Sequence, residues 1–119
     1  MAQHNELGIL GEQLAADYLK QKGYQIIARN WRYKKAEVDI IAQYNQFLIC
    51  VEVKTRSSAI VGEPESFVTQ QKIKLLTEAM NQYVESQSLN LEIRFDIVSI
   101  LINQTNTQIN HIKNAFYHF

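Results

Sequence analysis

Residues 36–56 read AEVDIIAQYNQFLICVEVKTR, two apolar runs separated by a short polar stretch. We interpret residues 37–43 and 46–55 as strands, because both runs are rich in β-branched residues. Tyr44 and Asn45 lie between them and are the right number of residues for a tight turn. The stretch therefore predicts a β-hairpin, and everything else in the chain is placed around it.

Carboxylates lie inside this hairpin on one predicted face. A turn at residues 44–45 pairs Gln43 with Gln46, which places Asp39 opposite Cys50 and diagonal to Glu52. Diagonal neighbours on one face of a hairpin are roughly 7–8 Å apart at the backbone. Two carboxylates at that separation can lean together and chelate one divalent cation. A one-residue slip of the register would move them to opposite faces.

The surroundings of these acids indicate a metal site. Carboxylates among apolar strand residues are costly to bury unless they are paired or bind a metal. Oxygen ligands favour Mg²⁺ or Mn²⁺ over Zn²⁺, and such an ion activates water and polarises a phosphate oxygen. Lys54 shares the face of Glu52 and is placed to stabilise developing charge. We expect Asp39 and Glu52 to bind the metal and Lys54 to be catalytic, with Glu37 either a third acid or a strand-edge residue.

The rest of the chain alternates helical and strand patterns. Apolar residues recur at helical spacing in one segment before the hairpin and in another after it. Later segments are rich in β-branched residues. We predict a helix at 5–22 capped by Asn5, a strand at 24–29, a polar connection at 30–35, a loop at 55–65, a helix at 66–86, and strands at 92–102 and 108–112. The order α-β-β-β-α-β-β predicts an α/β fold, a mixed central sheet flanked by helices, as a single domain spanning residues 1–119.

Composition narrows the class of protein. The chain has 119 residues, of which 46% are apolar and 20% charged, as in one globular domain. The chain contains no run of 18 apolar residues, so we expect no membrane-spanning helix. The first residues lack the pattern of a secretory signal. The single cysteine, Cys50, is expected to be buried, and the chain to be cytoplasmic. Twelve basic and twelve acidic residues give zero net charge, so charge alone does not indicate nucleic-acid binding.

Two motif segments carry a resemblance to a known group. The segments AEVDIIA at 36–42 and VEVKTR at 51–56 resemble the PD-(D/E)xK nuclease signature. More specifically, the chain resembles the bacterial YraN family, which is uncharacterised and similar to archaeal Holliday-junction resolvases. The likeness covers nearly the whole chain, from GILGEQLA at 8–15 through Asn30 and Trp31 to RFDIV at 94–98. One departure is Ala36, where the family usually has glycine.

The resemblance implies a restriction-endonuclease-like fold and a metal-dependent endonuclease. It assigns Asp39 and Glu52 as metal ligands, Lys54 as the catalytic lysine, and Glu12 as a catalytic acid of the first helix that helps to hold the metal. Glu12 has an alternative role as a first-turn acid that complements the helix dipole. The implied substrate is DNA, including branched DNA of the Holliday-junction type. The alternative is a non-catalytic module that binds nucleic acid or a protein partner.

A basic run suggests where nucleic acid would lie. Between Lys20 and Lys35 there are six basic residues and no acid, although such a run is also typical of a solvated face. Trp31 and Tyr33 within it either stack on an unpaired base or belong to the core. The residues that we expect to contact nucleic acid are Arg32, Lys34, Lys35, Thr55, Arg56, Ser57 and Lys72.

The remaining polar and terminal residues are assigned structural roles. Arg94 and Asp96 alternate on one strand face and are expected to form an ion pair. The three histidines, at positions 4, 111 and 118, show no ligand spacing and are expected at the surface.

A homodimer would suit a two-fold DNA junction. The strand at 97–102 and the tail at 115–119 are candidate interfaces, and the tail has the alternative of folding back onto its own core.

Overall fold

A computed structural model describes residues 6–57, 68–103 and 105–116. Five strands form one sheet in the order β1-β2-β3-β4-β5, with β3 and β4 parallel and the other neighbours antiparallel. The elements are α1 (Glu6–Gln21), β1 (Gln25–Tyr33), β2 (Ala36–Tyr44), β3 (Phe47–Arg56), α2 (Gln70–Ser86), β4 (Glu92–Ile102) and β5 (Thr107–Ile112). The predicted fold class and element order are confirmed.

The two helices cover opposite faces of the sheet. Ala15, Ala16 and Leu19 of α1 pack on one face, in a cluster that includes Ile40 and Val51. On the other face, α2 contributes Leu76, Ala79 and Met80 to a second cluster. The parallel pairing of β3 and β4 requires a crossover, and α2 lies within that connection. Of the two helices described, neither is long and apolar enough to cross a membrane.

Several predicted boundaries were wrong. Residues 30–33 belong to β1 instead of a polar connection, because Trp31 packs its ring edge-on against Tyr83 of α2, with 5.2 Å between centroids. Lys34 and Lys35 form the turn, and Lys34 takes a positive φ of 54°. The second helix begins at Gln70, capped by the Thr69 side chain, which accepts the Lys72 N–H. The predicted Asn5 cap and most of the predicted 55–65 loop lie outside the described residues.

The register of the central hairpin also differs from the prediction. Tyr44 pairs with Phe47, so the turn consists of Asn45 and Gln46, and Asn45 takes the required positive φ of 54°. The turn is one residue further along than predicted, which shifts each pair by two residues. Because side chains alternate with a period of two, this shift preserves the face of every residue. The predicted faces of Asp39 on β2 and Glu52 on β3 are therefore unchanged.

Gly11 allows α1 to lie unusually close to β3. A Cβ atom added at Gly11 would lie only 1.9 Å from Oγ1 of Thr55 and 2.7 Å from its Cβ. Gly11 is buried, and so is Glu12, the next residue of α1. The glycine thus fixes the distance between α1 and the strand that carries Glu52 and Lys54.

Gly11→Ala is expected to destabilise the fold by about 1–3 kcal/mol, the usual cost of overpacking, although alanine favours helix formation. Urea denaturation measures the change in the free energy of unfolding. In a Thr55→Ala background the same substitution should cost less, because the nearest clashing atoms are gone. An equal cost in both backgrounds would show that the hydroxyl and methyl groups of Thr55 do not limit this position.

A buried polar network joins β4, β5 and the segment after β5. Asp96 has no exposed surface and accepts hydrogen bonds from Nε and Nη2 of Arg94, at 2.9 and 2.8 Å. It also contacts Nε2 of His111 at 2.7 Å and accepts the backbone N–H of Asn114 at 3.0 Å. Nδ1 of His111 lies 3.1 Å from the Tyr18 hydroxyl on α1. The predicted ion pair is confirmed.

Two predictions about this region were wrong. The His111 side chain is only 4% exposed, so it is not a surface histidine. The strand at 97–102 cannot pair with a second molecule, because β4 is an inner strand with β3 and β5 on its two sides. In the tail, the Ala115 N–H donates to the Phe95 carbonyl and the Phe116 ring stacks on that of Phe95. These residues fold back onto their own core, while His4 and residues 117–119 lie outside the described residues.

Candidate active site

The carboxylate of Asp39 lies where β2 and β3 stop pairing. Their register ends at Ile40 and Val51, yet both strands continue past this pair. Asp39 Oδ2 accepts the backbone N–H of Val53 at 2.9 Å, so a side chain bridges the two strands here. If the register were continued by one residue, Asp39 would lie opposite Glu52, instead of opposite Cys50 as predicted from the sequence.

Burial, together with the nearby negative charge of Glu52, raises the pKa of Asp39 to about 7. Burial of Asp39 is the largest cause, followed by the charge of Glu52. The charge of Glu12 also raises the pKa of Asp39, whereas the hydrogen bond from the Val53 N–H and the charge of Lys72 lower it. Such a strongly perturbed carboxyl beside other acids is typical of a functional site, although structural networks can also perturb pKa values.

Lys72 of α2 reaches across to this pair. Its Nζ donates a hydrogen bond to Oε2 of Glu52. Burial alone would lower the pKa of the Lys72 ammonium, but the charge and hydrogen bond of Glu52, with the charge of Asp39, raise it above its usual value. The ammonium thus acts as a counter-cation for the carboxylate pair. Lys54 is half-buried and, two residues after Glu52 in the same strand, shares its face.

Glu12 approaches from the other helix. It is 7% exposed on α1, and its Oε1 accepts a hydrogen bond from Nδ2 of Asn30 at 3.2 Å. Nη2 of Arg29 lies 3.7 Å from the same oxygen. Asn30 takes a positive φ of 53° within β1, a conformation that asparagine adopts more readily than most residues. Two neighbouring β1 residues therefore hold an acid whose charge is felt at Asp39.

The donors present suit a hard divalent cation. Within the described ranges, no three Asp, Glu, His or Cys side chains come together as a metal site, so the protein would supply the Asp39 and Glu52 carboxylates. Mg²⁺ is usually held by one or two carboxylates plus waters and substrate phosphates. Burial raises the pKa of the Cys50 thiol, so this residue offers no thiolate at neutral pH. The oxygen-only donor set fits Mg²⁺ or Mn²⁺.

Glu37 of β2 lies near a basic residue of β1. Its Oε2 is 3.6 Å from Nη2 of Arg32, and the residue lines a cavity together with Lys35 and Lys72. Its predicted role as a third metal ligand stays a prediction. Its position nevertheless connects the site to the surface between β2 and α2.

The predicted nucleic-acid contacts fall into two groups. Lys34, Lys35 and Arg32 lie at or beside the β1–β2 turn, and all three are exposed. Thr55 and Arg56 end β3 and are half-buried, with Thr55 packed under Gly11, while Ser57 is exposed. These placements bring Lys35 close to Lys72 across the cavity, and the contacts with nucleic acid stay predictions.

A family model matches residues 11–100 of the chain, under the description "Uncharacterised protein family UPF0102". The chain belongs to this family. A UPF0102 protein of Flavobacterium psychrophilum is 51% identical over 119 residues, covering all of both chains. A UPF0102 protein of Christiangramia forsetii is also 51% identical over 119 residues, with the same coverage. A UPF0102 protein of Bacteroides thetaiotaomicron is 44% identical over 117 residues, covering 98% of this chain and 97% of its own.

The family match confirms the resemblance seen in the sequence, to an uncharacterised group with a PD-(D/E)xK nuclease-like pattern. The matched segment includes all the acids of the site and both of its lysines. Sequence reasoning missed Asn30 and the Val53 N–H as partners of Glu12 and Asp39. A polar residue inside the β-branched and aromatic pattern of β1 was the available signal for Asn30. Nothing in the sequence indicates a backbone donor.

Proposed function

We propose that the protein is a Mg²⁺- or Mn²⁺-dependent endonuclease that acts on DNA, including branched DNA. The observation that carries the proposal is the half-buried carboxylate pair of Asp39 and Glu52, in which Glu52 accepts a hydrogen bond from Lys72 of α2 and shares its strand face with Lys54. Buried like charges are costly, so a fold that holds them together is best explained by the binding of a cation. A divalent cation there would supply Lewis-acid activation of water and of the phosphate.

The residues of the chain divide the remaining work. Asp39 and Glu52 hold the cation, and the Val53 N–H fixes the orientation of Asp39. Lys54, on the same face as Glu52, stabilises the negative charge that develops on the phosphate in the transition state. Lys72 neutralises Glu52 in the free protein and transfers its contact to a DNA phosphate in the complex. Glu12 supplies further negative charge beside Asp39, which strengthens attraction for the cation.

The proposal is tested by cleavage of labelled four-way junction, flap, single-stranded and duplex DNA, with Mg²⁺, Mn²⁺ or EDTA. We expect metal-dependent cleavage of at least one of these substrates. Glu52→Gln should lower the rate roughly a thousandfold, as does removal of one preorganised group that stabilises charge in a transition state. Glu92→Gln, at an exposed position at the start of β4, is the matched control and should cut at the wild-type rate.

The same experiment distinguishes a nuclease from a non-catalytic module that only binds nucleic acid. Metal-dependent cutting that survives Glu52→Gln would place the chemistry elsewhere in the chain or in a contaminant. Binding without cutting by folded wild-type protein would instead support a non-catalytic nucleic-acid-binding module of a larger complex.

A cytoplasmic homodimer remains part of the proposal. Two copies of a nuclease related by a two-fold axis suit a two-fold DNA junction. With β4 inside the sheet, the edges open to a second copy belong to β1 and β5. Light scattering on the free protein and on its complex with a four-way junction measures the number of copies in each.

A further inference from the structure

A cavity of about 270 Å³ lies beside the carboxylate pair, between the start of β2 and the first turns of α2. Lys72 belongs to both places, because it lines the cavity and donates a hydrogen bond to Glu52. The residues that line it include Lys35, Glu37, Gln71, Lys72, Leu75 and Leu76. The cavity therefore adjoins the position at which a phosphodiester would be cut.

The size of the cavity suits a single nucleobase. Pockets for drug-sized molecules begin at roughly 300 Å³, and this cavity lies just below that range. A stacked base pair cannot enter a concavity of this size, whereas a base outside the stack can. The volume therefore favours an unpaired nucleotide over continuous duplex.

The lining has the three chemical parts that a nucleotide requires. Leu75 is half-buried and offers apolar surface to the face of a base, while Leu76, which also lines the cavity, is buried. The Gln71 amide both donates and accepts hydrogen bonds, and the Glu37 carboxylate accepts them. Lys35 and Lys72 supply positive charge for the flanking phosphates. Apolar contact with hydrogen bonds to the edge is how enzymes hold a base outside its stack.

We propose that this cavity binds one unpaired nucleobase next to the phosphodiester that is cut, an inference that rests on the proposed function. An ionised carboxylate accepts hydrogen bonds from exocyclic amino groups, so Glu37 favours adenine, cytosine or guanine over thymine. The preferred substrate class is DNA with unpaired nucleotides at a branch, flap or gap. This assignment explains why the active site of a nearly neutral protein carries a partly apolar cleft.

The test compares two DNA duplexes that have the same charge. One carries a short single-stranded extension of cytidines, and the other carries the same extension with abasic residues. Fluorescence anisotropy in EDTA measures each dissociation constant without cleavage. Wild-type protein should bind the extension with bases roughly tenfold more tightly, because contacts with one base contribute about 1–3 kcal/mol. Leu75→Ala and Gln71→Ala should bring the ratio close to one.

Matched controls lie on β5, away from the cavity. Ile109→Ala and Gln108→Ala remove the same kinds of side chain from exposed positions and should leave the ratio at its wild-type value. Gln71 is exposed on α2, and alanine is a good helix former, so Gln71→Ala tests the cavity even if Leu75→Ala unfolds.

The outcomes separate this inference from the proposed function. A base-dependent ratio that the cavity variants abolish supports the binding site, even if no DNA is cut in Mg²⁺ or Mn²⁺. Equal or absent binding of the two duplexes by wild-type protein overturns the inference, even if the protein is a nuclease. A ratio that persists in both cavity variants overturns it as well.

Discussion

Asp39→Asn is expected to raise the stability of the folded protein at pH 8 while removing metal-dependent cleavage. The folded protein raises the pKa of Asp39 from its ordinary value of 3.8 to about 7. Unfolding therefore releases a proton between these pH values, so wild type loses stability as the pH rises from about 4 to 7. Asparagine carries no charge and can still accept the Val53 N–H, so it escapes this loss.

The expected gain follows from the size of the pKa change. At about 1.4 kcal/mol per tenfold change in proton affinity, the stabilisation approaches 4 kcal/mol as an upper limit at pH 8 and falls towards zero near pH 4. Urea denaturation of wild type and variant at both pH values measures it. Added Mn²⁺ should raise the melting temperature of wild type more than that of the variant, because only wild type retains both carboxylates.

Asp17→Asn provides the control. Asp17 is exposed on α1, where its carboxylate accepts a hydrogen bond from Gln13, so its substitution should change stability by less than about 0.5 kcal/mol at either pH. An Asp39→Asn protein that is less stable than wild type at pH 8 would contradict the assignment. The Asp39 carboxylate would then stabilise the fold in the absence of a metal.

The acids of the site could be found from the sequence because strand periodicity determines which face a residue occupies. Asp39 and Glu52 interrupt β-branched runs, and the error in the turn shifted the pairs by two residues, which keeps every side chain on its face. The same reasoning could not give their closeness. The Val53 N–H is held by a side chain at the point where β2 and β3 part, a feature that no repeating pattern encodes.

Contacts between elements that are distant in the chain could not be predicted from the sequence, for a different reason. Lys72 meets Glu52, 20 residues earlier, only because α2 crosses over the sheet to allow parallel pairing of β3 and β4. Gly11 reads as an ordinary helical glycine until Thr55 is placed against it. His111 lies in a mostly exposed edge strand, and its side chain is buried by partners on other elements, Asp96 and Tyr18. Each of these depends on tertiary packing.

Asp96→Ala is expected to cost about 3–5 kcal/mol, because it leaves Arg94 and His111 buried without their anion. Burial alone would raise the pKa of Asp96, but its hydrogen bonds with His111, Arg94 and the Asn114 N–H hold the pKa below its ordinary value. A lowered pKa stabilises the fold above the unfolded pKa, and this contribution is lost as the pH falls through the folded one. Urea denaturation at pH 7 measures the loss.

Hydrogen exchange at individual amides distinguishes the loss of this network from a general weakening of the core. The Asn114 N–H donates to Asp96, and the neighbouring Ala115 N–H donates to the Phe95 carbonyl. Asp96→Asn keeps the shape but not the charge, so it should cost less than alanine while hydrogen exchange speeds up at Asn114 and Ala115. Amides of β2, three strands away in the sheet order from β5, should follow only the change in global stability. Unchanged exchange at Asn114 would mean that the segment after β5 is held by the stacking of Phe116 on Phe95 instead of by the carboxylate.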